Sequence, residues 1–177
     1  MTVANLIDVL TPALDEGYGV AGLVVLGWED ACAFVAAAEE LGCPVILQAG
    51  PGCRTHTPIS VLGPMFRALA EQAQVPVVCH IDHATTISDC QAGIDYGFTS
   101  VMIDGSKTMS SSDFLAMFLD QIRLIMKRPR GFFISLNAMG CLVSCSRGGP
   151  LAESRTSLLT LSWCSMVYLT EIRPPME

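Results

Sequence analysis

The sequence predicts an α/β fold in which parallel strands carry helices on their outer side. Two observations carry this expectation. Apolar runs that read as strands buried on both faces recur through the first 130 residues. Between them lie segments with apolar residues at helical spacing, joined by short connectors. Both a closed (β/α)8 barrel and an open doubly wound sheet fit this order. A complete barrel takes about 250 residues, so a chain of 177 holds about the first four to five strand–helix units.

The elements follow in order. Asn5 to Leu14 reads as a helix covering the bottom of the sheet. Val20 to Leu26 is an uninterrupted apolar strand. Glu29 to Leu41 is a helix with Cys32, Val35, Ala36 and Leu41 on one side, and Gly42 ends it. Pro44 to Ala49 is the second strand, and Gly50-Pro51-Gly52 opens a loop. Pro58 to Ala73 is a helix with Val61, Met65 and Leu69 on one face. Val75 to His80 is the third strand, and Thr86 to Tyr96 a helix facing inward through Ile87, Cys90 and Ile94. Thr99 to Asp104 is the fourth strand, Ser112 to Met126 a fourth helix, and Gly131 to Ser135 begins a fifth strand. Beyond that point the rhythm is lost. Residues 1–130 are therefore expected to form the half barrel, and residues 131–177 a divergent, poorly ordered tail.

Composition narrows the function. A net charge of −7 argues against nucleic acid, whose phosphates attract basic surfaces. Met1 to Asn5 lacks a signal peptide's basic start and apolar stretch, and no run reaches the roughly 20 apolar residues of a membrane helix. A cytoplasmic protein without a membrane partner is the expectation. Of the eight cysteines, Cys32, Cys43, Cys79 and Cys90 lie in apolar segments and read as small core hydrophobes.

The chemistry concentrates in His80-Ile81-Asp82-His83, which holds two of the three histidines. Ligands in parallel α/β folds bind at the carboxyl ends of strands. This motif, Gly50-Pro51-Gly52 and Asp104-Gly105-Ser106 all lie at such ends. An imidazole can hold a divalent metal that polarises a carbonyl, while a nearby carboxylate moves a proton. The bland alternative is that His80 ends the strand, Asp82 caps the next helix and His83 lies in a surface loop. A third reading is an open-sheet metal hydrolase using His80, Asp82 and His83.

His80-Ile81-Asp82-His83-Ala84-Thr85-Thr86, followed by Gly97-Phe98-Thr99-Ser100-Val101-Met102-Ile103-Asp104-Gly105-Ser106, resembles the class II fructose-bisphosphate and tagatose-bisphosphate aldolases. Asn5 to Leu10 and Pro44 to Gln48 are similar to the same family, so the likeness covers roughly residues 4 to 107. It implies a zinc-dependent TIM barrel of carbohydrate metabolism (glycolysis). The reaction is reversible aldol cleavage of a phosphorylated ketose to dihydroxyacetone phosphate and an aldehyde. By position, His83 matches a zinc ligand and Asp82 the acid/base serving the aldehyde-derived hydroxyl. His80 matches a supporting histidine, and Asp104 and Ser106 the turn at the next strand end, where they would support the metal ligands or contact substrate.

The departures shape the remaining expectations. The family's first-strand asparagine is replaced by Gly22-Leu23-Val24-Val25, and its phosphate-binding serine by Ala49-Gly50-Pro51-Gly52. The downstream glutamates and the two later histidines of the zinc site are missing, and His56 lies upstream and matches no ligand. A zinc site needing about three protein ligands is therefore expected to be incomplete and the chain inactive alone. Leu158 to Ser165, read in a shifted frame, can encode Thr-Asp-Pro-Glu-Leu-Val-Gln, similar to a downstream helix start of the family. A frameshift between about Gly105 and Pro150 is the corresponding expectation. The alternative function is a non-catalytic half barrel whose open edges drive homo-oligomerisation or aggregation.

Overall fold

The computed structural model describes residues 2–104 and the strands within 133–138, 141–146, 159–160 and 167–168. The elements are β1 (Val3–Ala4), α1 (Leu6–Glu16), β2 (Val20–Val24), α2 (Trp28–Leu41), β3 (Val45–Ala49), α3 (Pro51–His56) and α4 (Ile59–Gln72). After these come β4 (Val77–Ala84), α5 (Ile87–Asp95), β5 (Ser100–Asp104), β6 (Phe133–Ala138), β7 (Cys141–Ser146), β8 (Leu159–Thr160) and β9 (Val167–Tyr168). Strands β2 to β6 lie side by side in chain order, each parallel to the last. This is the first half of a (β/α)8 barrel, and β6 is the expected fifth strand. β7 and β8 then turn antiparallel, and β9 pairs antiparallel with the start of β2. The expected helix at Ser112 to Met126 lies outside the described residues.

Two-residue alternation along each strand sorts side chains into two cores. Val45, Leu47, Ala49, Val77, Cys79, Ile81, Val101 and Ile103 point outward against α2, α4 and α5. Phe66 of α4 is fully buried there and meets the Phe98 ring at 5.5 Å between centroids and a 58° tilt. Burying one such side chain contributes about 1.5–3 kcal/mol. On the inner face Val20, Ile46, Val78 and Met102 are covered by Leu6, Ile7, Val9, Leu10 and Ala13 of α1. The expected bottom-covering helix is thus in place, and it fills the lower part of the half barrel.

A capping box fixes where α1 begins. Asn5 Oδ1 accepts from the Ile7 and Asp8 amides at 2.8 and 3.1 Å, while the Asn5 amide donates to Asp8 Oδ2 at 3.0 Å. Asn5→Ala is expected to cost about 1 kcal/mol, read as a lower urea midpoint at unchanged m-value. Gly17, at φ 76°, ends the helix in the left-handed conformation that glycine adopts without strain.

Two expectations about local structure are corrected. Gly50-Pro51-Gly52 is no loop but the start of α3, because Pro51 occupies the first helical turn, where its missing amide costs nothing. The third strand does not stop at His80. It runs to Ala84, so the whole His80-Ile81-Asp82-His83 motif lies inside β4.

Candidate active site

On the inner face Gln48 and His80 each follow an apolar residue covered by α1, Ile46 and Val78. Register places Gln48 of β3 beside His80 of β4, and His80 beside Ser100 of β5. All three are fully buried. His80 Nδ1 lies 2.8 Å from Ser100 Oγ. Burial, helped by the nearby charges of His83 and Arg54, pushes the His80 pKa down to about 3, so its imidazole is neutral near pH 7. Its Nε2 has no hydrogen-bond partner among the described residues and faces Asp82 Oδ1 at 4.0 Å.

One residue pair farther along, the strand departs from regular geometry. The register between β4 and β5 shifts between Ile81 and Ala84, and His83 takes φ 50°, the left-handed region that non-glycine residues rarely enter. Strict alternation would send Asp82 and His83 to opposite faces. The bulge instead brings His83 Nε2 to 3.8 Å from Asp82 Oδ1. On its other side His83 Nδ1 meets Asp104 Oδ2 at 2.6 Å. With the carboxylate accepting, Nδ1 carries a proton and Nε2 faces the Asp82 side.

Asp82 is 5% exposed. Burial raises its pKa above the ordinary carboxylate range, opposed by the charges of His83 and Arg54 and reinforced by Asp104. Its Oδ1 has no hydrogen-bond partner among the described residues. A side chain built at Gly50 would come within 4.0 Å of Asp82 Oδ2 and 3.7 Å of Val24 Cγ1. These are ordinary van der Waals distances, so a methyl group would fit beside the carboxylate. A buried carboxyl with a raised pKa is suited to accept and return a proton.

The structure thus brings together His80, Asp82, His83 and Asp104, from two neighbouring strands. Ser106 lies outside the described residues. His56 is remote in role: it is exposed at the end of α3 and contacts Thr57 Oγ1. Two participants escape a reading of the sequence. Ser100 holds His80, and its only signal is a polar residue starting an apolar strand. Arg54 sits behind the motif, donating to backbone carbonyls at the ends of β3 and β4. A separate cavity of about 490 Å³, lined by Arg54, Ser60, Asp89 and Tyr96 among others, lies among α3, α4 and α5 and does not include the His80–Asp82–His83 cluster.

A hydrogen bond donated by one imidazole nitrogen to a carboxylate is the arrangement that orients metal-binding histidines. His83 with Asp104 fits that description, but a zinc site needs about three protein ligands. Among the described residues no group of three His, Cys, Asp or Glu side chains is arranged to hold a metal ion. The described residues therefore do not by themselves complete a zinc site. Among them, too, no helix is long and apolar enough to cross a membrane.

The model of the class-II fructose-bisphosphate aldolase family matches residues 4–113. The plasmid-encoded fructose-bisphosphate aldolase of Cupriavidus necator is 37% identical over 155 residues, covering 84% of this chain and 44% of that protein. The fructose-bisphosphate aldolase of a Nostoc species is 32% identical over 160 residues, covering 86% of this chain and 44% of its own length. The chain therefore spans under half the length of these curated relatives. Among solved structures, the YdjI aldolase of Escherichia coli K12 superposes with a TM-score of 0.65 at 24% identity, over 70% of this chain and 48% of that one. That likeness concerns the fold.

Proposed function

This chain belongs to the class-II fructose-bisphosphate aldolase family, and from that premise we propose that its strand ends carry the proton-transfer half of an aldol-cleavage site. The substrate is a phosphorylated ketose, cleaved to dihydroxyacetone phosphate and an aldehyde. Asp82 is the acid/base. As a carboxylate it accepts the proton of the hydroxyl next to the breaking carbon–carbon bond, and the bonding electron pair moves toward the substrate carbonyl. In the reverse direction it returns that proton to the aldehyde oxygen. The observation that carries this reading is the bulge, which sets His83 between two carboxylates, 3.8 Å from the buried Asp82 and 2.6 Å from Asp104.

His83 would hold zinc, with Asp104 orienting its imidazole, and His80 with Ser100 supports Asp82 from below. Zinc, in a complete site, supplies charge stabilisation for the enediolate. With one imidazole ligand and no completed ligand set among the described residues, the 177-residue chain is proposed to be inactive alone. Residues 1–130 are the barrel unit in this reading, and the tail follows a shift of frame between about Gly105 and Pro150; synonymous codons that forbid the second reading would exclude the shift. Ser106, in the turn after β5, is assigned a substrate-binding role. The compartment is cytoplasmic, and the open half barrel associates with itself.

A zinc titration tests the ligand assignment. Zinc added to the histidine-labelled chain is expected to perturb the His83 imidazole signals first, weakly and reversibly on chelation. Asp104→Asn is expected to weaken that binding by about 10–100-fold. Perturbation of His56 alone would refute the assignment.

A further inference from the structure

We propose that Arg54 is a positioning residue that holds the Asp82–His83 peptide in its bulged conformation, and with it the convergence of the two side chains. Its importance for function rests on the aldolase reading above; its geometry does not. Arg54 lies in the last turn of α3, the short helix that begins directly after β3. The hydrogen-bonded ladder between β3 and β4 ends at the Ala49–Ile81 pair. Beyond that pair the carbonyls of the strand ends need other donors. Nη1 of Arg54 donates to the carbonyls of Ala49 and Asp82, and Nη2 donates to the His83 carbonyl at 3.0 Å. One guanidinium thus ties the end of β3 to two successive carbonyls of β4.

Those two carbonyls flank the left-handed His83, at φ 50°. Such a conformation costs free energy for a residue with a side chain and persists only where its surroundings impose it. Arg54 is the group that imposes it. A guanidinium has five donors in a planar fork, and this one is used on carbonyls; Arg54 makes no salt bridge with a carboxylate among the described residues. A lysine ammonium is a point donor on a flexible stem and cannot reproduce the fork. Without it, β4 is expected to relax toward regular alternation, which turns one of Asp82 and His83 to the outer face.

The test uses the full chain labelled with ¹³C and ¹⁵N at histidine, which has three such residues. In the parent protein His83 should show a proton held on Nδ1 by Asp104, and His80 the signals of a buried neutral imidazole. In Arg54→Lys the His83 pattern is expected to be lost while the His80 pattern stays. In Arg54→Ala the His83 pattern should return on adding guanidinium ion. Retention of the parent His83 pattern in Arg54→Lys overturns the proposal. So does failure of guanidinium to restore it in Arg54→Ala, whether that variant is locally altered or globally unfolded. The readout needs neither zinc nor turnover, so a failed aldolase reading leaves its outcome unaffected.

Discussion

Gly63→Ala is expected to destabilise the protein by about 3 kcal/mol or more, at the upper end of overpacking penalties. Gly63 lies within α4 where that helix crosses the end of α5. A Cβ added there would sit 2.1 Å from the Tyr96 carbonyl oxygen and 2.9 Å from its carbonyl carbon. Backbone cannot rotate away as a flexible side chain can, so the two helices must separate. Phe66 and Phe98, which fill the space beside this crossing, then lose contact. Against a total stability of about 5–15 kcal/mol for a domain, that loss is large. Gly52→Ala is the control. Nothing lies within 4 Å of its added Cβ, and it sits within α3. There the substitution should be neutral or stabilise by roughly 0.5–1 kcal/mol. Equal urea midpoints for the two variants would contradict this account of the crossing.

The second large effect concerns Asp82, read in a barrel that has a complete metal site. When residues 4–104 replace the matching part of the Cupriavidus necator relative, Asp82→Asn is expected to lower kcat by about 10²–10⁴-fold, the usual contribution of a general acid–base. Zinc content and KM should change little, because the amide keeps the shape and loses only the exchangeable proton. His83→Ala should separate cleanly from it by losing zinc. If Asp82→Asn turns over like its parent in a zinc-loaded graft, the proton-carrier role is wrong.

Much of this arrangement is legible in the sequence because the strands are apolar on both faces. Runs such as Val45 to Leu47 and Val101 to Ile103 declare buried parallel strands, and polar residues at their carboxyl ends declare a site. The grouping of Asp82, His83 and Asp104 follows from neighbouring strand ends. What escapes is set by tertiary partners. The extension of β4 to Ala84 depends on a bulge, and the bulge depends on carbonyls bound by a residue 28 positions upstream. Nothing near Arg54 in the chain marks it for that task. Ser100 acquires its role only through register with His80. The short helix α3 was masked by glycines that read as a loop, although Pro51 at its first turn is a helix start signal.

On the proposed function, the chain carries an aldolase's proton-transfer half-site without a complete zinc ligand set among the described residues. Zinc-dependent cleavage of fructose 1,6-bisphosphate, measured on the purified 177-residue chain and on the graft side by side, tests it most directly. The account predicts no turnover by the chain and zinc-dependent turnover by the graft. Turnover by the chain alone would contradict the incompleteness of its site, and a folded, zinc-loaded graft without turnover would contradict the aldolase assignment itself.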